Sequence, residues 1–173
     1  VFPGTLKEFQ RELREEIVRL AIEDYYFGGS VQSAIQNTVL LYLPEWYIDG
    51  MTAYLGEGWT VEDEMWLSSL DRTQMLQLAL EGDDPVNVRA RKSIFQFIVS
   101  QYGRDKLSEI FYMTRLTRSA EDGVIHVLGI TLKTLTERWR EYVVTRLIEF
   151  KTFRDPSTEG GTAIDLELRG VAD

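Results

Sequence analysis

Four charged positions have the types and spacing from which hydrolytic chemistry is built. Glu15 and Glu16 are adjacent, Arg19 follows four residues after Glu15, and Asp49 stands directly before Gly50. Paired carboxylates divide the work of general acid and general base when their surroundings push their pKa values apart. Glu16 lies three residues after Leu13 and four before Leu20, which places it at the edge of an apolar helical stripe rather than on the wet face. Glu15 and Arg19, with the acid N-terminal to the base, have the favourable order for an ion pair along a helix. The plain alternative is a half-exposed salt-bridge cluster contributing roughly a few tenths of a kcal/mol. Gly50 falls inside a helical pattern, where glycine costs about 1 kcal/mol relative to alanine, and so marks a close approach between backbones.

Other groups carry less. His126 is the only histidine and lies among Val124, Ile125, Val127 and Leu128. A dyad with a serine is conceivable there, but a histidine of no special role is the simpler reading. Glu62-Asp63-Glu64 and Asp83-Asp84 have the composition of weak calcium sites, yet helix capping and first-turn dipole matching account for both.

The elements that must position these residues read as helices. Thr5 with Glu8 forms a capping-box pattern, and Leu6, Phe9, Leu13, Ile17, Leu20 and Ala21 then give one stripe that should face a core, ending near Gly28-Gly29. Ser30 caps a second helix carrying Val31, Ala34, Ile35 and Thr38. Pro44 opens a third through Trp46, Ile48, Gly50 and Tyr54 to a stop at Gly56. Thr60 with Asp63 opens a fourth containing Met65, Trp66 and Leu70. Asp71 caps a short helix ending at Gly82, and Asp84-Pro85 opens a long one through Ile94, Phe95, Ile98 and Val99 to Gly103. Two more follow, at Asp105 to Leu116 and Ala120 to Leu128. Thr131 caps a last long helix with the stripe Leu135, Trp139, Tyr142, Val143 and Leu147. After Phe153 the composition changes. Residues 155–162 read as a turn-rich linker, and Ile164 to Leu168 alternates apolar and acidic like a short strand, which needs a partner to be stable. The division expected is a helical domain over 1–153 and a linker with a strand over 154–173.

Composition narrows the function classes. The net charge of −9 with no Lys/Arg-rich run disfavours a polyanion partner, so no nucleic acid is expected. The absence of cysteine removes disulfides, thiolate catalysis and cysteine-based zinc sites. No signal peptide is recognisable, and no apolar run reaches the ~18 residues of a membrane span.

Pro44-Glu45-Trp46-Tyr47-Ile48-Asp49-Gly50-Met51-Thr52-Ala53-Tyr54 resembles the Pro-x-Trp-x-x-Glu-Gly-x-Ala-x-Tyr segment of gluzincin-type peptidases of the MA clan. Trp59 with the acidic residues after it and Met65-Trp66 fit the continuation of that segment. Phe97 to Gly103 and Leu128-Gly129-Ile130-Thr131-Leu132 through Trp139 are similar to the family's C-terminal helices, so the likeness covers residues 5 to 150. It implies a multi-helix, mainly α, zincin-like C-terminal helical subdomain; the small β-sheet that the family places before its motif helix has no room in this chain. It also implies that Glu15 and Arg19 occupy the two histidine positions of the zinc motif, Glu16 that of the general base, and Asp49 that of the third ligand. Trp46, Gly50 and Tyr54 would belong to the binding cleft. Relatives of this kind occur in cell-envelope or secreted proteins, some beside β-propeller repeats, so a periplasmic or extracellular setting is implied.

The departures from that motif decide the expected function. Zinc takes neutral imidazoles at about 2.0–2.1 Å, whereas a guanidinium has no lone pair to give. Arg19 would instead pair with Glu16 and Asp49, replacing the metal by a salt-bridge network, so neither metal nor cofactor is expected. The chain then reads as a non-catalytic pseudopeptidase that binds a protein partner or peptide segment. A metal-free hydrolase using Glu16 with Glu15 or Asp49 is the alternative, weakened because Arg19 would keep those carboxylates ionised. A purely structural helical spacer is the third reading, for which an apolar patch at Tyr25-Tyr26-Phe27 would mark a partner surface.

Overall fold

A computed structural model describes residues 4–28, 43–70 and 85–154, with the side chains of 85–88 and 150–154 outside the description. The helices expected after Ser30 and from Asp71, the linker and the strand at Ile164 to Leu168 all lie outside the described residues. What is described is helical, and the mainly α expectation holds.

Local signals set the helix ends. Helix α1 spans Leu6–Phe27 and opens on the expected capping box, with the Glu8 backbone N–H donating to Thr5 Oγ1 at 3.2 Å and the Thr5 N–H donating to Glu8 Oε2 at 3.1 Å. Helix α2, Glu45–Glu57, follows Pro44 and runs past the expected stop at Gly56. It ends at Gly58, whose φ of +72° suits glycine. Gly56 stays within the helix and lies against Glu15 of α1, where a Cβ would be in ordinary contact with Glu15 Cγ at 3.5 Å. Thr60 and Asp63 form a second capping box at the start of α3, Val61–Ser69. Helix α4, Pro85–Tyr102, stops at Gly103, and α5, Arg104–Thr117, begins after it. Ser119 caps α6, Ala120–Leu128, and Thr131 Oγ1 accepts from the Thr134 N–H at 3.2 Å at the start of α7, Leu132–Arg154.

Helix α4 is the centre of the packing. It contacts α2, α5 and α7, while α1 packs on α2, α3 on α7, and α6 on α5 and α7. Ala90, Arg91, Lys92, Ser93, Ile94 and Phe95 are six consecutive residues and all are buried, so this helix is enclosed on every side over nearly two turns. The α7 stripe behaves as expected, with Leu135, Trp139, Val143 and Leu147 buried. Trp139 donates its indole N–H to Ser93 Oγ at 2.9 Å, which satisfies a polar handle deep in the core.

Helix α1 departs from expectation. Its apolar stripe does not face the core: Leu6 is 66% exposed, Leu13 48%, Ile17 57% and Leu20 64%. The buried face carries Ile22 and Tyr26, with Val18, Glu15 and Arg19 half-buried beside them. Periodicity reports that a helix has an apolar side; it does not report which side the neighbour takes. Here the α2 contact is set by Tyr26 and the charged pair. The same rotation leaves Glu16 exposed rather than at a core edge.

Gly50 explains how α2 and α4 come so close. A Cβ there would collide with the Arg91 carbonyl and would meet Phe95 Cε2 at 2.7 Å. Gly50→Ala is therefore expected to destabilise the fold by about 1–3 kcal/mol despite alanine's better helix propensity. Urea unfolding followed by tryptophan fluorescence measures it, and an unchanged midpoint would refute the close-approach argument.

Candidate functional site

The antiparallel run of α1 against α2 brings the sequence-selected residues together in part. Glu15 meets Gly56, Arg19 meets Asp49, and Tyr26 meets Tyr47, so α1 and α2 positions run in opposite order along the contact. Asp49 is the junction. Its Oδ1 accepts from Arg19 Nη2 at 3.0 Å, and its Oδ2 accepts from Arg91 Nη1 at 2.6 Å. Both carboxylate oxygens are thus engaged by guanidinium groups on opposite sides. The two partners differ in setting: the Arg91 side chain is 3% exposed and that of Arg19 38%.

Arg19 pairs with Asp49 as expected from the sequence, but Glu16 takes no part. It is exposed and enters no ion pair among the described residues. Arg91 was not foreseen, nor was its neighbour Lys92. Lys92 Nζ donates to Asp63 Oδ2 at 2.6 Å and lies 3.5 Å from Glu57 Oε2. Asp63 at the same time accepts from the Thr60 N–H at 2.9 Å, so one carboxylate caps α3 and neutralises a buried cation of α4. The available signal was two adjacent cations inside an otherwise apolar helix.

Glu15 sits over this second cluster. Burial pushes its carboxyl above the ordinary range and nearby Glu57 adds to that, while Arg11, Lys92 and Arg19 pull the other way. Further along the interface, Tyr26 and Tyr47 share a hydrogen bond of 3.0 Å, and Tyr47 donates to Thr114 Oγ1 of α5 at 3.2 Å. Burial raises both phenols, that of Tyr47 to about 12, so they serve as neutral hydroxyls rather than bases.

The residues expected to line a cleft are enclosed instead. Trp46, Gly50 and Tyr54 are all buried, with Trp46 edge-on to Tyr47 and Tyr54 stacked over Phe95. Their spacing on α2 turns them towards α4, which occupies the space a cleft would need. An open groove lies elsewhere. It has a volume of about 430 Å³ between α1, α2 and α5 and is walled by Val18, Ile22, Tyr25, Met51, Leu55 and Phe111. Tyr25, Tyr26 and Phe27 do not form one exposed patch, because Tyr26 is buried and Phe27 half-buried. His126 is exposed, with Nδ1 at 2.7 Å from the Asp122 carbonyl oxygen of its own helix.

Zinc does not suit the residues at the positions that the resemblance aligned with zinc ligands. Arg19 has no lone pair, Asp49 has both oxygens committed to cations, and Arg91 and Lys92 add positive charge alongside. Among the described residues no three His, Asp or Glu side chains are grouped as a metal ion requires. No described helix is long and apolar enough to cross a membrane. The chain matches no protein-family model, no curated protein and no solved structure.

Two outcomes follow from the different settings of the two arginines. Arg19→Ala removes a partly exposed pair and should cost under about 1 kcal/mol. Removing the buried partner should cost more: Arg91→Ala, read by urea denaturation, is expected to lose about 3–5 kcal/mol. Equal losses would contradict the asymmetry. For Glu15, folding raises the carboxyl pKa, so the unfolded chain ionises first and stability falls as pH climbs above the ordinary carboxylate value. Glu15→Gln should raise the melting temperature at pH 7 slightly, on the order of 1 °C, and the gain should vanish below about pH 4. A gain that persists in acid would point to another cause.

Proposed function

We propose that this chain is a non-catalytic, metallopeptidase-like helical module that binds a protein or peptide segment within a larger cell-envelope or secreted assembly. The observation that carries the reading is the carboxylate of Asp49 held between Arg19 and Arg91 at 3.0 and 2.6 Å. A ligand or general base needs an oxygen free to face a metal or a substrate proton, and a bis-guanidinium clamp supplies the opposite surroundings. Glu16, at the position of the family's general base, is then left with no metal-bound water to activate.

The apolar groove between α1, α2 and α5 supports the binding part of the proposal. A volume of about 430 Å³ suits a few apolar side chains of a bound segment, and its apolar walls come from α1, α2 and α5. The carboxylate-hydrolase alternative draws support from Glu15 alone, whose raised pKa lets it hold a proton nearer neutrality.

Elemental analysis of the protein after dialysis against zinc should find well under one equivalent bound, and a peptide panel should remain uncut. Stoichiometric zinc, with cleavage abolished in Glu16→Gln, would overturn the proposal. Peptides selected from a displayed random library should bind the wild-type chain and lose binding to Leu55→Asp, which puts a charge in the groove wall. Selection that yields no groove-dependent binder would remove the binding half.

A further inference from the structure

The groove between α1, α2 and α5 is apolar inside and basic at its rim. Met51 and Leu55 of α2 form its floor, and Leu55 is left 48% exposed. On α5 the wall residues Ser108 and Phe111 are flanked by Arg104 and Arg115 at spacings of four, three and four, so all four share one side of the helix. The Arg115 guanidinium lies over the Tyr25 ring of α1, 4.7 Å from its centre. At the other end, burial raises the Tyr54 phenol and Arg104 pulls the other way, so Arg104 faces α2. On α1, Arg14 stands one turn before Val18 on the groove side.

These arginines lack carboxylate partners. All three are exposed, and none enters an ion pair among the described residues. The chain's 28 acidic residues outnumber its 19 basic ones, so a rim of cations without acids is not what average composition would give. The acids of the wall helices point elsewhere. Asp24 and Asp105 lie about 60° further round, on the outward sides of α1 and α5, and Glu12, Glu16 and Glu23 are on the far side of α1. Glu15 is turned against Gly56 with Arg11, Lys92 and Arg19 around it, and Glu109 is paired with Lys106.

We infer that the groove takes an acidic peptide segment of another protein, its large apolar side chains on Met51 and Leu55 and its carboxylates on Arg14, Arg104 and Arg115. The inference rests on the peptide-binding half of the proposed function and narrows it. Arg104 and Arg115 are separated by about 16 Å along α5, so a ligand with one anionic head, such as a fatty acid, would meet only one end. A segment with acids on both sides of an apolar stretch meets both. Residues 29–42 of the chain itself contain no acid and do not match this rim.

Fluorescence anisotropy of a labelled peptide, Asp-Glu-Leu-Ile-Asp-Leu-Leu-Glu-Asp, with the full 173-residue chain tests this. Arg104→Glu and Arg115→Glu should each weaken binding about fivefold or more with unchanged circular dichroism, while Arg115→Lys, which keeps the charge, should stay within about twofold. Raising NaCl from ~20 mM to ~0.5 M should weaken it about tenfold. Lys133→Glu makes the same change of charge on α7, away from the groove, and should leave binding unaltered. Arginine variants that bind like wild type while Leu55→Asp does not would overturn the inference and leave peptide binding in the groove standing. Equal binding of a probe with Lys in place of its acids would do the same. No binding by this probe or by any library peptide would remove both. A loss in Lys133→Glu equal to that in Arg104→Glu would overturn the inference, as would displacement of the probe by an equal concentration of dodecanoate. So would binding at least about tenfold tighter in Asp165→Lys with Glu167→Lys, or in Glu81→Lys with Asp84→Lys, since either would assign the groove to the chain's own acidic segments.

Discussion

A cation enclosed in a helical core must be met by an anion brought from a neighbouring element, and α4 places two such cations side by side. Arg91 and Lys92 are 2% and 6% exposed, in the middle of the run that α2, α5 and α7 surround. The counter-charges come from different helices: Asp49 from α2 for Arg91, and Asp63 from α3 for Lys92, with Glu57 at the end of α2 close by. These pairs help fix where α2 and α3 sit around α4, because an error in either placement would take a close counter-charge away from a buried cation. Gly50 makes the arrangement possible by letting α2 approach the Arg91 backbone.

A second polar line does similar work without charge. Tyr26, Tyr47 and Thr114 pass hydrogen bonds from α1 through α2 to α5, and Tyr26 also lies 3.3 Å from the Phe111 carbonyl. Buried hydroxyls satisfied in this way specify one register among the many that apolar side chains alone would tolerate. Helix α1 is held by this line and by the Arg19–Asp49 pair together with the burial of Ile22 and Tyr26. The inner face is therefore mixed, while the apolar stripe points away from α2.

Helix boundaries were the legible part of the sequence. Thr5 with Glu8, Thr60 with Asp63, the glycine at 103 and the α7 stripe around Trp139 are local patterns, and each has the role its spacing implies. The site was legible only in its local half. Arg19 and Asp49 could be paired through the family likeness, but Arg91 lies 42 residues from Asp49, and Lys92 lies 29 from Asp63. Such pairings leave no trace in spacing. The cleft expected at Trp46, Gly50 and Tyr54 was beyond local reading for the same reason: α4, which encloses those residues, lies elsewhere in the chain, while the helix stop came two residues later than expected, at Gly58 with its positive φ.

The clamp on Asp49 also bears on how such a domain can change. Its two arginines come from α1 and α4, so no single substitution dismantles the arrangement cleanly. Exchanging Asp49 for an uncharged residue takes the carboxylate at 2.6 Å away from the buried Arg91, and exchanging Arg91 first leaves the half-buried carboxylate with the more exposed Arg19. A lineage altering one position at a time would meet a less stable form at either step. The salt bridge thus works as a ratchet: easy to inherit intact, hard to leave one substitution at a time.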